Sequence, residues 1–210
     1  MNPPRFVLAT KNAKKVVEMK AALAGLGLEL VALDAVCPTA PTAIENGSRF
    51  EENATIKARH YAALAGLPCI ADDSGLEVDA LGGEPGVLSS SYAGKEGDDA
   101  ANNAKLLREL TGRGPAERGA QFRCVIVVAG ADAEVVFRSE GVVRGVILER
   151  PSGDGGFGYD PLFWYPEFGR TFAEIPIERK NGVSHRGRAL AELSRALPTI
   201  LGKTEPHRKS

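Results

Sequence analysis

LPCIADDSGLEVDALGG, residues 67–83, places two adjacent aspartates directly after a short apolar run. Residues 69–71 have the composition of a buried strand, so we expect Asp72 and Asp73 at the carboxyl end of that strand. Ligand crevices of α/β sheets usually lie at such ends. Residues 76–80 then alternate between apolar and acidic side chains, which predicts a half-buried strand.

Two neighbouring carboxylates repel each other and resist desolvation, so a buried pair needs a cation or several N–H donors. A hard divalent cation such as Mg²⁺ provides this compensation and can also bridge to substrate phosphates. The alternative is that Asp72 and Asp73 cap a turn formed by the Ser and Gly that follow them. The stretch alone leaves both interpretations open.

The flanking sequence indicates an α/β fold with a mixed sheet. Residues 5–9 and 28–33 are strand candidates separated by a helical pattern, which predicts a parallel βαβ unit. Residues 120–130 and 134–148 are rich in strand formers and predict an antiparallel pair across a loop at 131–133. We expect one two-lobed domain over residues 1–201 and a polar, disordered tail over residues 202–210.

A helix from about 99 to 110 and a closing helix through Leu197 are also predicted. Another helix begins at the sequence S-x-x-E, residues 48–51, a capping box, and is expected to continue to Pro68. Asn53 and Lys57 fall on the same face of that helix as large apolar residues. Their polar groups therefore either reach past the apolar surface to solvent or project into a cleft.

Composition limits the class of partner. The 210 residues carry 26 basic and 27 acidic side chains, so no global charge favours nucleic acid or an anionic membrane. No apolar run is long enough for a membrane span. Three widely spaced cysteines fit a reducing compartment, and we expect a cytoplasmic protein.

Two helix starts carry basic residues. T-K-N-A-K-K, residues 10–15, lies at a strand-to-helix turn, where backbone N–H groups and lysines suit phosphates. The alternative is an N-cap at Asn12 with solvated lysines. Further on, Ser184 occupies an N-cap position before His185 and Arg186. Cations there oppose the helix dipole, which hints at a ligand, although such residues are more often simply exposed.

A glycine-rich loop over residues 153–158 has the spacing G-x-G-x-x-G, but no helix is predicted after it, so it is not a dinucleotide fingerprint. Phe157 and Tyr159 either stack on a flat base or anchor the loop in the core. A nucleophilic-serine elbow, a zinc site and a Walker phosphate loop are not found. Together the lysines, acids and aromatics predict a nucleotide site with Mg²⁺.

Five ordered motifs resemble the inosine/xanthosine triphosphate pyrophosphatase family, whose members hydrolyse non-standard purine nucleoside triphosphates. In chain order they are T-K-N-A-K-K (10–15), E-N-G with F-E-E-N-A-T-I-K-A (45–58), A-D-D-S-G-L (71–76), G-G-F-G-Y-D-P (155–161) and S-H-R-G-R-A (184–189). The resemblance implies an elongated mixed β-sheet flanked by helices, with two lobes and an active-site cleft between them. It also implies a cytoplasmic homodimer that converts ITP, dITP or XTP to the monophosphate and pyrophosphate with Mg²⁺.

The resemblance further implies roles for individual residues. Asp73 would be the general base and a metal ligand, Glu45 a second metal ligand, and Asp72, Asn53 and Lys57 supporting residues. The residues implied to bind substrate are Thr10, Lys11, Asn12, Ala13, Lys14, Lys15, Ser74, Phe157, Gly158, Tyr159, Asp160, Lys180, His185 and Arg186.

This chain departs from the family pattern at two places, Lys11, where glycine is common, and Ser91, where arginine is common. Neither position lies among the predicted metal ligands. Two rival functions remain open: a pyrophosphatase for another modified base, and a nucleotide-binding sensor without catalysis.

Overall fold

The computed structural model describes residues 2–204. Within that part of the chain the strands are β1 (Arg5–Leu8), β2 (Glu29–Ala32), β3 (Cys69–Val78), β4 (Gly119–Ala129), β5 (Val135–Ile147), β6 (Phe163–Tyr165) and β7 (Arg170–Thr171). The α-helices are α1 (Ala13–Ala22), α2 (Leu33–Val36), α3 (Phe50–Ala65), α4 (Asp99–Glu109), α5 (Ile177–Val183) and α6 (His185–Thr204).

The strands form a single mixed sheet in the order β2-β1-β3-β4-β5-β6-β7. β1 pairs in parallel with both β2 and β3, and every other neighbouring pair is antiparallel. The predicted parallel βαβ unit and the predicted β4–β5 hairpin are therefore confirmed, as is the mixed α/β class. Helix α4 begins at Asp99, as predicted. The predicted strand-to-helix turn leads into helix α1 at Ala13.

β3 does not end at Ala71. It continues through both aspartates to Val78, paired with β4 at every position. The predicted place of the aspartates at a strand end and the alternative of a Ser-Gly turn are both wrong. Because β4 provides main-chain partners along the whole strand, polar side chains in its middle do not break it. Ala80 leaves the strand for a short 3₁₀ turn over Asp79–Leu81.

Successive β3 side chains point to opposite faces of the sheet. Cys69 and Ala71 pack in the cluster that includes Ala58 of α3. Ile70 packs on the other face, in the cluster that includes Met19 of α1 and Leu193 of α6. The helices of this fold therefore cover both faces around the first half of β3.

A third apolar cluster, which includes Leu76 and Phe122, lies further along β3 on the face that Ile70 occupies. Asp72 and Ser74 are the β3 residues of this face between Ile70 and Leu76. We call these two residues the polar band. It separates two apolar clusters, and the candidate site lies around it.

Some element ends differ from the predicted ones. The N-cap of α3 is Arg49, and Glu52 rather than Glu51 accepts the backbone N–H groups of Ser48 and Arg49. The helix ends at Ala65, before Pro68, because Gly66 adopts a left-handed φ of 60° that caps it. α5 was not predicted, since its seven residues are too few to show a clear helical period.

α6 extends through Thr204, so the first three residues of the predicted polar tail are helical, and residues 205–210 lie outside the described part. No helix among the described residues is long and apolar enough to cross a membrane. The three cysteines are free thiols, and Cys69 and Cys124 are buried, as expected of small core residues.

Candidate active site

A lysine from α3 joins two of the predicted acidic residues. Nζ of Lys57 lies 2.8 Å from Oδ1 of Asp73 and 2.7 Å from Oε2 of Glu45, which lies in the loop before α3. Lys57 and Asp73 are buried, whereas the side chain of Glu45 is 35% exposed. Lys57 therefore does not reach past the apolar surface to solvent, because its ammonium is held between these two carboxylates. Oδ2 of Asp73 is buried and has no hydrogen-bond partner among the described residues.

Burial and neighbouring charges shift the pKa values of Asp73 and Lys57. Burial raises the pKa of Asp73, and the positive charges of Lys57 and Lys15 offset this effect only in part. Burial would lower the pKa of Lys57, but Asp73, Asp72 and Glu45 outweigh it, and the pKa of this ammonium is raised. Lys57 therefore stays charged, beside a carboxylate that accepts a proton more readily than an ordinary aspartate.

Asn53, also on α3, supports the loop that carries Glu45. Its side-chain oxygen accepts the backbone N–H of Gly47 at 2.8 Å. A Cβ atom on Gly47 would lie 2.6 Å from Cβ of Glu52, so the loop approaches the start of α3 too closely for a larger residue. Asn53 thus holds the loop that carries Glu45, and its supporting role in the site stays a prediction.

Asp72 faces the opposite side of the sheet and has cations of its own. Its Oδ2 atom lies 3.0 Å from Nζ of Lys15 and 3.0 Å from Nη2 of Arg186, and it also accepts the hydroxyl of Ser74 at 3.2 Å. Burial would raise the pKa of Asp72, but Lys15 and Arg186 hold it well below its usual range. Each aspartate keeps one buried oxygen without a partner among the described residues, Oδ1 of Asp72 and Oδ2 of Asp73. The two nevertheless pair with different cations, and their pKa values shift in opposite directions, so Asp72 is a structural anion.

Glu18 of α1 belongs to the same group, although the sequence did not single it out. Its buried carboxylate accepts from Nζ of Lys180 at 3.1 Å and from Nη1 of Arg186. Burial would raise the pKa of Glu18, but Arg186 and Lys180 lower it. The available signal was weak: Glu18 follows Lys15 by three residues, which places both on one side of a helix.

Lys180 continues this chain of alternating charges to the glycine-rich loop. Its Nζ atom lies 2.6 Å from Oδ2 of Asp160, and the same oxygen accepts the backbone N–H of Phe157 at 2.8 Å. Burial raises the pKa of Asp160, an effect that Lys180 opposes. The buried ions thus connect α1, α5, α6 and the loop around the polar band.

At the turn before α1, the N-cap alternative is present. The side-chain oxygen of Asn12 accepts the backbone N–H groups of Lys14 and Lys15 at 3.0 and 3.2 Å. Thr10 accepts the N–H of Asn12 at 3.1 Å, and α1 begins at the next residue, Ala13. Lys14 is exposed, while Lys15 turns inward to Asp72, so the lysines of this turn are not all solvated.

Lys11, where this chain departs from the family pattern, is exposed and donates a hydrogen bond to the hydroxyl of Thr42 at 3.2 Å. It therefore links the turn to the loop that leads to Glu45.

Phe157, in the glycine-rich loop, and Tyr159, directly after the loop, differ in their surroundings. The Tyr159 ring is buried, and its hydroxyl donates to the carbonyl of Ser89 at 3.0 Å. The Phe157 ring is only partly buried, with Nζ of Lys180 at 5.1 Å and Cζ of Arg186 at 5.8 Å from its centroid. Tyr159 therefore anchors the loop in the core, and Phe157 is the ring that remains available for stacking.

Ser184 caps α6 as predicted, with its hydroxyl accepting the backbone N–H of Gly187 at 3.0 Å. His185 stacks on Phe122 at a centroid distance of 4.8 Å, and its Nδ1 atom is buried without a partner among the described residues. Burial and the charge of Arg186 hold the pKa of His185 well below its usual value, so this imidazole is neutral at pH 7. The cation at the start of α6 is explained by Glu18 and Asp72, without a ligand.

The sequence profile of the Ham1 family matches residues 6–196. A protein named dITP/XTP pyrophosphatase from Geobacter sulfurreducens is 51% identical over 90% of this chain and 94% of its own length. A protein of the same name from Geobacillus kaustophilus is 50% identical over 94% and 96%.

Solved structures agree with this. A HAM1 protein from Coxiella burnetii superimposes with a TM-score of 0.84 at 42% identity, covering 93% of this chain and 99% of that one. A nucleoside-triphosphatase, also titled dITP/XTP pyrophosphatase, from Mycobacterium abscessus gives a TM-score of 0.72 at 46% identity, covering 90% and 98%.

Proposed function

This chain belongs to the Ham1 family, and from that premise we propose that it hydrolyses non-standard purine nucleoside triphosphates such as ITP, dITP and XTP. The products are the nucleoside monophosphate and pyrophosphate. The support is the name dITP/XTP pyrophosphatase carried by relatives about half identical over nearly the whole chain. Within the site, the observation that carries the proposal is the unpartnered Oδ2 of Asp73 beside the ammonium of Lys57.

In the proposed reaction a water molecule attacks the α-phosphorus. Its oxygen forms the new P–O bond, the bond between the α-phosphorus and the bridging oxygen breaks, and pyrophosphate leaves with that electron pair. Oδ2 of Asp73 takes the proton of the water, because Lys57 already occupies Oδ1. A carboxylate whose pKa is raised by burial is a stronger general base than an exposed one.

The three lysines of the turn before α1 are proposed to hold the phosphates. Lys11 and Lys14 are exposed and open to direct contact, the side chain of Lys14 by 60%. Lys15 points to Asp72 at 3.0 Å, so it contributes positive charge from a fixed position. Cations held in place near the leaving group stabilise the charge that develops on the departing pyrophosphate.

Mg²⁺ is the proposed cofactor, and the residues present fit a divalent cation with few protein ligands. Asp73 has a buried oxygen without a partner, and the partly exposed carboxylate of Glu45 approaches the same ammonium. The described residues contain no group of three or more acidic, histidine or cysteine side chains that could hold a metal, which suits an ion bound largely by water and phosphate. When bound, Mg²⁺ would offset triphosphate charge and acidify water.

The base is proposed to lie against Phe157, near His185 and Arg186. Hypoxanthine and xanthine carry an acceptor oxygen at C6 where adenine carries an amino donor. Nδ1 of His185 is the buried ring nitrogen without a partner, and a neutral imidazole can donate one hydrogen bond. A purine whose C6 oxygen accepts this hydrogen bond is therefore favoured over adenine, whose amino group would leave the buried donor unpaired.

The test is a parallel assay of pyrophosphate release from ITP, dITP, XTP, GTP, ATP and dUTP with Mg²⁺. We expect kcat/KM to be highest for the first three. A preference for dUTP or a modified pyrimidine would indicate the rival pyrophosphatase. Absence of turnover on every nucleotide, with binding retained, would indicate the non-catalytic sensor.

We also propose that the protein acts as a homodimer in the cytoplasm, as the family resemblance implies. Light scattering after size exclusion is expected to give twice the 22.2 kDa mass of one chain. A mass of one chain at micromolar concentration would contradict the dimer, and fractionation of the producing cell would test the compartment.

A further inference from the structure

Two side chains of helix α4 hold the glycine-rich loop by contacts to one residue, Gly158. Oδ2 of Asp99 accepts the backbone N–H of Gly158 at 2.8 Å. Nδ2 of Asn103, one helical turn later, donates to the backbone carbonyl of Gly158 at 2.8 Å. Both main-chain polar groups of Gly158 are therefore bound by side chains of one helix.

The orientation of Asn103 indicates that this contact is specific. Its amide nitrogen also donates to the carbonyl of Asp99 at 2.8 Å, which fixes the nitrogen toward the loop. As a result its side-chain oxygen is buried without a partner among the described residues. An unpaired buried acceptor is unfavourable, so the two bonds that the amide donates offset a real cost.

Gly158 needs such restraint. Its φ of +62° lies in the left-handed region, which glycine adopts without strain but does not favour strongly by itself. The residue before it is Phe157, whose ring faces Lys180 and Arg186. Fixing Gly158 therefore fixes the ring that the proposed function assigns to the base.

Asp99 also faces the phosphate side of the site. Its Oδ2 atom lies 4.0 Å from Nζ of Lys14, and that nitrogen lies 5.7 Å from the Phe157 centroid. The pair is partly exposed and long, so it is weak in water. A phosphate that binds Lys14 would nevertheless meet the carboxylate of Asp99 as a competing anion.

We propose that Asp99 and Asn103 are positioning residues for the nucleotide: together they hold Phe157 and Gly158 in place for the nucleoside, and Asp99 competes with phosphate for Lys14. This inference rests on the proposed function. It assigns no contact between α4 and the reacting atoms. The two roles separate experimentally, because Asn103 bonds to the loop and to its own helix, whereas Asp99 contacts both the loop and the lysine.

The experiment measures the dissociation constants of inosine monophosphate and of pyrophosphate by calorimetry with Mg²⁺. Asn103→Ala, which introduces a good helix former, is expected to raise the dissociation constant of inosine monophosphate about three- to tenfold. It should change the dissociation constant of pyrophosphate less than about twofold. Asp99→Asn keeps an acceptor for Gly158 and removes the charge. It is expected to bind pyrophosphate about two- to fivefold more tightly.

Asp98→Ala is the matched control. Asp98 caps the same helix by accepting the backbone N–H of Ala101 at 3.1 Å, and among the described residues the side-chain contacts to Gly158 come from Asp99 and Asn103 instead. The control is expected to lower Tm while both dissociation constants stay within about twofold of wild type.

Equal shifts in Asn103→Ala and Asp98→Ala would overturn the proposal, because the effect would then come from helix stability. So would equal weakening of both ligands by Asn103→Ala, or unchanged pyrophosphate affinity in Asp99→Asn. If the wild type binds inosine monophosphate but releases no pyrophosphate from ITP, the proposed function fails while the comparison of dissociation constants still decides this inference. If the wild type binds neither ligand, this inference is overturned, while release of pyrophosphate from ITP still decides the proposed function.

Discussion

Lys57 holds one oxygen of the Asp73 carboxylate at 2.8 Å and leaves the other, Oδ2, buried without a partner among the described residues. Asp72 also has a buried oxygen without a partner among these residues, Oδ1, so the unpaired acceptor alone does not set Asp73 apart. The difference lies in the surroundings: Lys15 and Arg186 lower the pKa of Asp72, whereas burial raises the pKa of Asp73. This relationship provides the first two predictions.

Asp73→Asn is expected to lower kcat for ITP by about 10²–10⁴-fold, because an amide oxygen cannot take the proton of the attacking water. Binding of ITP, measured by calorimetry in the presence of Ca²⁺, should change far less than turnover. A variant that retains kcat within tenfold of wild type would show that Asp73 is not the base.

Lys57→Met removes a positive charge that favours the ionised form of Asp73. The pKa of Asp73 therefore rises further, and the acid limb of the pH profile of kcat/KM moves to higher pH. At neutral pH, kcat/KM should fall at least about tenfold. Lys57→Arg should restore part of the profile, and Lys20→Met, at an exposed position of α1, should leave it unchanged. An acid limb that stays in place would contradict the coupling.

Asp72→Asn is expected to reduce the free energy of unfolding at pH 7 by about 3–5 kcal/mol, since it removes the buried carboxylate that pairs with Lys15 and one of the two that pair with Arg186. The control Asp79→Asn removes an exposed partner of Arg144 and should cost at most about 1 kcal/mol. Urea unfolding of both variants measures this difference. Equal costs would mean that Asp72 is not a structural anion.

The same variant has a predicted pH dependence. The pKa of Asp72 is lower in the folded protein than in the unfolded chain, so its contribution is fully present above the unfolded value of about 3.9 and is lost as pH falls further. The difference in unfolding free energy between wild type and Asp72→Asn should therefore shrink below about pH 4. The raised pKa values of Asp73 and Asp160 have the opposite effect on stability as the pH falls. Both residues are present in wild type and variant, so their effect cancels in the difference.

Gly141→Ala tests how β5 positions the start of α6. An added Cβ would lie 2.0 Å from the backbone oxygen of His185 and 2.8 Å from the backbone nitrogen of Ala189, so the helix must move. We expect a loss of about 1–3 kcal/mol in stability and a raised KM for ITP. Gly182→Ala in α5, where nothing lies within 4 Å, should be neutral or slightly stabilising. An unchanged KM in Gly141→Ala would contradict the role of this contact.

Glu45→Gln should raise the Mg²⁺ concentration for half-maximal turnover by about tenfold, because a neutral amide is a weaker ligand for a hard cation. Chelation with EDTA should abolish turnover, and added Mg²⁺ should restore it. Glu51→Gln, at an exposed position of α3 that pairs with Arg138, is the control. The same Mg²⁺ requirement in both variants would remove Glu45 from the metal site.

The local periodicity of the sequence predicted the parallel unit of β1, α1 and β2 and the hairpin of β4 and β5, because each depends on residues close together in the chain. The caps at Asn12 and Ser184 were predictable for the same reason. What could not be predicted was which charges are buried together. Arg186 meets Asp72 from 114 positions away, and no local pattern encodes that distance.

The error at β3 has a related cause. Two acids and a glycine are typical of a strand end when only neighbours along the chain are considered. β4, more than 40 residues later, supplies backbone partners throughout, and Arg186 and Lys57 supply charges from opposite faces. Among the site residues named from the resemblance, Lys15 and Arg186 contact Asp72 in the polar band, whereas Lys57 joins Glu45 to Asp73 on the opposite face of the sheet. Their separate roles remain predictions.

Because β3 turns neighbouring side chains away from each other, the fold depends on Asp72 and the proposed chemistry on Asp73, although the two share a peptide bond. A protein that lost its chemistry would be free to change the second codon while still needing the first to remain folded. Drift at position 73 with retention at position 72 would thus be the genetic trace of a descendant that kept this architecture and abandoned turnover.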